Sequence, residues 1–152
     1  STFLYDTLTR IHTSLGLSQE DYLIHLADSF MISADNAHAV HPALTDKAAP
    51  ANRPYINGGI VIKFSASQKY CTDGVSAAIF RDLCQRAGFP VQTFVNRSDM
   101  AGGSTLGNIS NTQVALNTVD IGLPQLAMHS PYETAGVKDT GYLIRAAEEF
   151  FC

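Results

Sequence analysis

The residues best suited to chemistry gather in Ser33-Ala34-Asp35-Asn36-Ala37-His38-Ala39-Val40-His41-Pro42, where a carboxylate and two imidazoles fall three positions apart. On a continuous helix Asp35, His38 and His41 would share one face and could chelate a metal ion. Pro42 opposes that reading, because it drives His41 out of the α region. A turn after a strand, with Asp35 and His38 entering one pocket, accounts for the pattern better; a hydrogen-bonded loop with no ligand role accounts for it as well. His129, in Leu126-Ala127-Met128-His129-Ser130-Pro131, is the second candidate. Neutral imidazole is a common zinc ligand, although a lone histidine is more often a satisfied core or surface residue.

Other polar groups carry weaker signals. Lys63 closes an apolar run and Tyr70 follows seven residues later, which fits edge residues with exposed tips. Gly102-Gly103-Ser104-Thr105-Leu106-Gly107 has the look of an anion-cradling helix start, but no lysine follows and the glycine spacing is wrong for a phosphate loop. Glu148-Glu149 lies in an amphipathic helical stretch and reads as a solvated face. There is no GxSxG elbow and no histidine close in sequence to a cysteine, so nucleophilic catalysis finds no local support.

These residues need elements to position them. Phe3, Leu4, Leu8, Ile11 and Leu15 recur at helical spacing before Gly16, and a second helix starts at Ser18 with Glu20 and Asp21 in its first turn. Phe30-Met31-Ile32 reads as a short buried strand with Asp35 just past its end. Residues 42–59 form a long Pro-, Asn- and Gly-rich loop. Ile60 to Phe64 is a strand. Thr72 or Asp73 caps a helix that stops at Gly88, and Val91 to Val95 is a strand. A helix is expected from Gly102 to Leu116, a buried strand over Val119–Gly122, a short apolar run Leu126–Met128 leading to His129, and a last helix from Glu133 or Thr134 to Phe151. Strands alternating with helices predict an α/β fold with a mostly parallel sheet and helices on both faces. Sites in such sheets gather at the C-terminal strand ends, an address that Asp35 and His129 share.

A chain of 152 residues, 45% hydrophobic and 16% charged, fits one domain. Its net charge of −4 argues against duplex nucleic acid as a partner. Three cysteines without CxxC spacing favour a reducing, cytoplasmic compartment. No run of 18 apolar residues and no signal-peptide pattern point to a membrane. Ser1 in place of Met suggests a processed chain or a piece of a longer one.

Taken together and in order, SADNAHAVHP, GGIVIK, QKY, NRSDMAGGSTLGNI and LPQLAMHSPYE resemble the aspartyl aminopeptidase family, over roughly the last two thirds to four fifths of the chain. The resemblance implies a cytoplasmic dinuclear zinc aminopeptidase with a zinc-exopeptidase-like catalytic domain, acting on peptides with an acidic N-terminus and assembling as a homo-oligomer. It implies metal-ligand roles for Asp35 and His129, each on a different zinc, and substrate-binding roles for His38, Lys63 and Tyr70. Two zinc ions roughly 3.5–4 Å apart would activate a water and clamp the reacting oxygens. A lysine in the pocket would select an acidic side chain by charge, and His38 or Tyr70 could aim a donor at the oxyanion.

The departure from the family pattern is large. The family's first histidine ligand, bridging aspartate, glutamate general base and further glutamate ligand all lie far upstream of the S-A-D motif, whereas 34 residues precede Asp35 here. Residues 1–152 therefore read as the C-terminal portion of a metallopeptidase catalytic domain, without the upstream half or the dimerisation domain. The chain is expected to supply about half of the metal site, no general base and no activity alone. Two other readings compete: a catalytically silent scaffold or assembly module of the same fold, and a phosphate-binding module using Gly102 to Gly107.

Overall fold

The computed structural model describes residues 2–152. Helix α1 (Phe3–Ser14) and α2 (Gln19–Ala27) precede the long strand β1 (Phe30–His38). The loop that follows contains one 3-10 turn at Thr45–Lys47. Then come β2 (Ile60–Phe64), α3 (Gly74–Ala87), β3 (Val91–Val95), α4 (Leu106–Asn111), β4 (Asn117–Leu126), β5 (Thr134–Ala135) and α5 (Val137–Phe151).

The helix boundaries follow side-chain chemistry. Ser18 and Asp21 cap α2 reciprocally, and Asp73 and Ser76 do the same for α3. Gly88 ends α3 in the left-handed conformation, which a residue without Cβ adopts freely. The α1–α2 hairpin is tied by His12 and His25, whose ring nitrogens lie 2.8 Å apart, with Tyr22 edge-on to His12.

The sheet order is β1-β4-β2-β3, with β5 paired to the end of β4. The longest registers, β1 with β4 and β2 with β3, are parallel. The join between β2 and β4 is antiparallel, so the sheet is mixed but mostly parallel. Alternation along the strands gives it two chemically different faces. Ile60, Ile62, Val119 and Ile121 face α3 and α5 and pack with Phe80, Leu83, Cys84 and Ala146 into the main core. Each of the large aliphatic and aromatic side chains among them contributes about 1.5–3 kcal/mol on full burial. Ser33, Asp35, Lys63, Asp120 and Gly122 lie on the other face, where α4 docks through the Gly107 N–H donating to Ser33 Oγ at 3.0 Å.

Several expectations shift. Asp35 does not follow β1 but sits within it, because pairing with β4 continues to His38 opposite Gln125. The buried strand expected at Val119–Gly122 likewise extends to Leu126. The helix expected from Gly102 to Leu116 shrinks to six residues. Thr105 spends its hydroxyl on Asp120 rather than on capping, and Asn111 Oδ1 captures the Leu116 N–H, competing with further helical turns. The last helix starts at Val137, since Thr134 and Ala135 pair with β4.

The long loop is fixed from below. Asp139, fully buried, accepts hydrogen bonds from the Asn57 and Gly59 N–H groups at 2.6 and 3.0 Å. Gly59 has φ 108°, and a Cβ there would lie 2.0 Å from the Pro90 carbonyl oxygen. Gly59→Ala should therefore cost at least about 2 kcal/mol, read as a lowered midpoint of chemical denaturation.

Candidate active site

On the polar side of the sheet, a cleft of about 630 Å³ opens between the ends of β1 and β4, the long loop and the segment before α4. Asp35, His38, Lys63, Tyr70 and His129 all line it. Positions 94 residues apart in the chain thus reach one crevice, because β1 and β4 are parallel neighbours whose C-terminal ends emerge together. His41 lines the cleft as well.

Lys63 is the group whose setting departs most from its sequence reading. It is not an edge residue with an exposed tip: it is 3% exposed. Its side chain runs across β4 at Gly122, where a Cβ would sit 2.7 Å from Lys63 Cε, and reaches Asp35 Oδ2 at 3.5 Å. Asp35 and Gly122 are paired in register, so the absent side chain at 122 leaves the passage open. The Tyr70 ring lies beside the ammonium, 5.6 Å from its centroid. Burial pulls the Lys63 pKa down, and the Asp35 and Asp120 carboxylates oppose that pull. Burial also raises the Tyr70 hydroxyl, helped by the charges of Asp120 and Asp35, so it stays a neutral donor. His38 lies beside the Phe94 ring, tilted by 47° with centroids 6.4 Å apart; burial first, then the nearness of His129 and Lys63, lowers its pKa and favours neutral imidazole.

Asp35 keeps coordinating capacity. Its Oδ1 accepts the Asn36 N–H at 2.7 Å, and its side chain remains 55% exposed to the cleft. His129 is not delivered directly by a strand: β4 ends at Leu126, and His129 sits in the following turn with φ 68°. Its backbone N–H donates to Glu133 Oε1 at 2.6 Å, while its ring nitrogens have no hydrogen-bond partner among the described residues. A half-open carboxylate and an uncommitted imidazole are the donor types that zinc takes. Among the described residues, however, no three His, Cys, Asp or Glu side chains converge to hold a metal ion. Asp35 and His129 have the donor chemistry for a metal ion, and both line this one cleft.

The other sequence candidates are engaged in different contacts. Glu149 pairs with Arg86 of α3 at 3.0 Å. In the glycine-rich segment, the Gly107 N–H is spent on Ser33 and the Thr105 hydroxyl on the Asp120 carboxylate, so neither of those donors is free for an anion. Asp120 is the residue that sequence reasoning passed over. It is fully buried, and a carboxylate between Val119 and Ile121 was the available signal, since buried acids need partners.

Comparison with known proteins agrees with this architecture. The family described as Aminopeptidase I zinc metalloprotease (M18) matches residues 1–151. A probable M18 family aminopeptidase 2 from Clostridium acetobutylicum is 52% identical over 151 residues, covering 99% of this chain and 35% of the relative. The chain thus spans about a third of the length of the curated relatives it matches. In the cryo-EM structure of the Ape4 and Nbr1 complex, a chain superposes with TM-score 0.92 at 38% identity, over 99% of this chain and 29% of that one. The S. cerevisiae mApe1 dodecamer gives TM-score 0.81 at 27% identity, over 99% and 33%. Sequence, sheet topology and the polar cleft lead to one assignment: this chain belongs to the M18 family of aminopeptidase I zinc metalloproteases.

Proposed function

We propose that the chain is the C-terminal portion of the catalytic domain of a zinc aminopeptidase that releases acidic residues from peptide N-termini. The observation that carries this reading is the convergence of Asp35, His129, His38, Tyr70 and the buried Lys63 on one cleft. Asp35 and His129 would each hold one zinc of a pair. When bound, the two ions supply Lewis acidity and a nucleophile usable at neutral pH. Lys63, desolvated and fixed over Gly122, attracts the carboxylate of an N-terminal Asp or Glu. Tyr70 donates a hydrogen bond at the cleft wall, and neutral His38 presents a donor or acceptor to the substrate backbone. No general base is assigned within the chain.

The remaining two thirds of the relatives' length would complete the site. It has an apolar seat available: a groove of about 520 Å³ walled by Leu8, Leu26, Phe30, Ile32, Leu143 and Phe150, beside β1, the edge strand of the sheet among the described residues. We further propose homo-oligomeric assembly, which the mApe1 dodecamer favours by analogy. Three unpaired thiols suit a cytoplasmic location.

The test is hydrolysis of Asp-, Glu- and Ala-anilides by the full-length protein and by residues 1–152 alone. The full-length protein should prefer the acidic substrates and lose activity to chelators; the 152-residue chain should be silent and retain no zinc. Preference for Ala-anilide would contradict the acidic specificity. Appreciable turnover by the short chain would contradict the half-site.

A further inference from the structure

We propose that Asp120 is a positioning residue for the substrate-facing wall of the cleft: one buried carboxylate that fastens the Tyr70 segment to the Gly102–Thr105 segment. Asp120 is fully buried in β4, on the polar face of the sheet. Its Oδ2 accepts the Cys71 N–H at 2.6 Å, one residue after Tyr70. Its Oδ1 accepts the Thr105 hydroxyl at 2.7 Å, at the entrance to α4. Its own N–H donates to Thr72 Oγ1 at 2.8 Å, which holds the first segment a second time. Both segments are loops that contribute cleft residues, and neither contains a strand or helix of its own there. Loops gain position only from what they are bonded to. Gly107 closes the fourth side: a Cβ there would lie 2.6 Å from both Asp120 Oδ1 and Ser33 Oγ, so the space around the carboxylate is filled. A group buried this completely, and bonded to both walls, sets the gap between them.

Only the kinetic arm of the test rests on the peptidase reading. In the full-length protein, Asp120→Ala should lower kcat/KM at least about tenfold, with the loss chiefly in KM and zinc content unchanged. Asp120→Asn should recover most of it, because an amide can accept from Cys71 N–H and donate to the Thr105 oxygen. Unchanged KM in Asp120→Ala, or loss of zinc in either variant, would overturn the assignment.

The second arm is hydrogen exchange on the same proteins, which needs no substrate. Asp120→Ala should speed exchange at 70–73 and 102–105 together, while Asp120→Asn keeps the protection. Should Asp120→Ala fail to fold, Thr105→Val removes one bond only and should loosen 102–105 while sparing Cys71; unchanged exchange in that variant would refute the proposal. A full-length protein that cleaves no peptide would sink the peptidase reading, and the exchange arm would still decide Asp120.

Discussion

Replacing Asp35 or His129 in the full-length protein should drop peptide hydrolysis to background and release zinc. Both groups line the cleft, Asp35 with a half-exposed carboxylate and His129 with ring nitrogens that no described residue bonds. In the proposed site, loss of either would leave one ion short of a ligand, and metal affinity is folded into the geometry of its ligands. The choice of substitution matters. Asp35→Ala would also strip the ion-pair partner from buried Lys63, whereas Asp35→Asn keeps the acceptor for the Asn36 N–H. His129 occupies the left-handed region, which asparagine tolerates better than alanine, so His129→Asn separates the ligand effect from backbone strain. Zinc per chain and turnover are the paired readouts. Wild-type turnover in either variant would remove that residue from the metal site.

The second large effect is expected at Lys63. Lys63→Ala should reduce kcat/KM for an acidic N-terminal residue about a hundredfold more than for a neutral one, within the roughly 2–5 kcal/mol that deleting one member of a buried charge pair costs. The side chain is nearly without solvent, so its charge is undiluted by water. Its protein partner is Asp35 at 3.5 Å, and an Asp35 oxygen engaged by a metal would leave the ammonium free to meet substrate. Arginine should not rescue: the passage over Gly122 is already tight around a single methylene, and a planar guanidinium needs more width. Equal losses on acidic and neutral substrates would mean that Lys63 does not read the side chain.

Much of this could be read from the chain itself, for identifiable reasons. Capping residues act locally, and Ser18, Asp73 and Gly88 mark helix ends where the spacing predicts them. The apolar runs 60–64 and 91–95 are short and bounded, and both are strands. What local pattern does not encode is pairing. β1 and β4 extend beyond their apolar residues because each supplies the other's hydrogen bonds, which carries Asp35 from a strand end to a strand interior. The antiparallel meeting of β2 and β4 has no local signature either. The helix after Gly103 is short because Thr105 and Asn111 are recruited elsewhere, one of them across fifteen residues to Asp120. Burial of Lys63 depends on a glycine 59 positions away, a coincidence of register that no spacing rule foretells.

The most direct trial is anomalous scattering at the zinc edge from crystals of the full-length protein. Two ions roughly 3.5–4 Å apart are expected. One should lie about 2.0–2.2 Å from an Asp35 carboxylate oxygen and the other about 2.0–2.1 Å from a His129 ring nitrogen. Zinc bound at distance from both side chains, with the cleft between β1 and β4 holding no metal, would contradict the account.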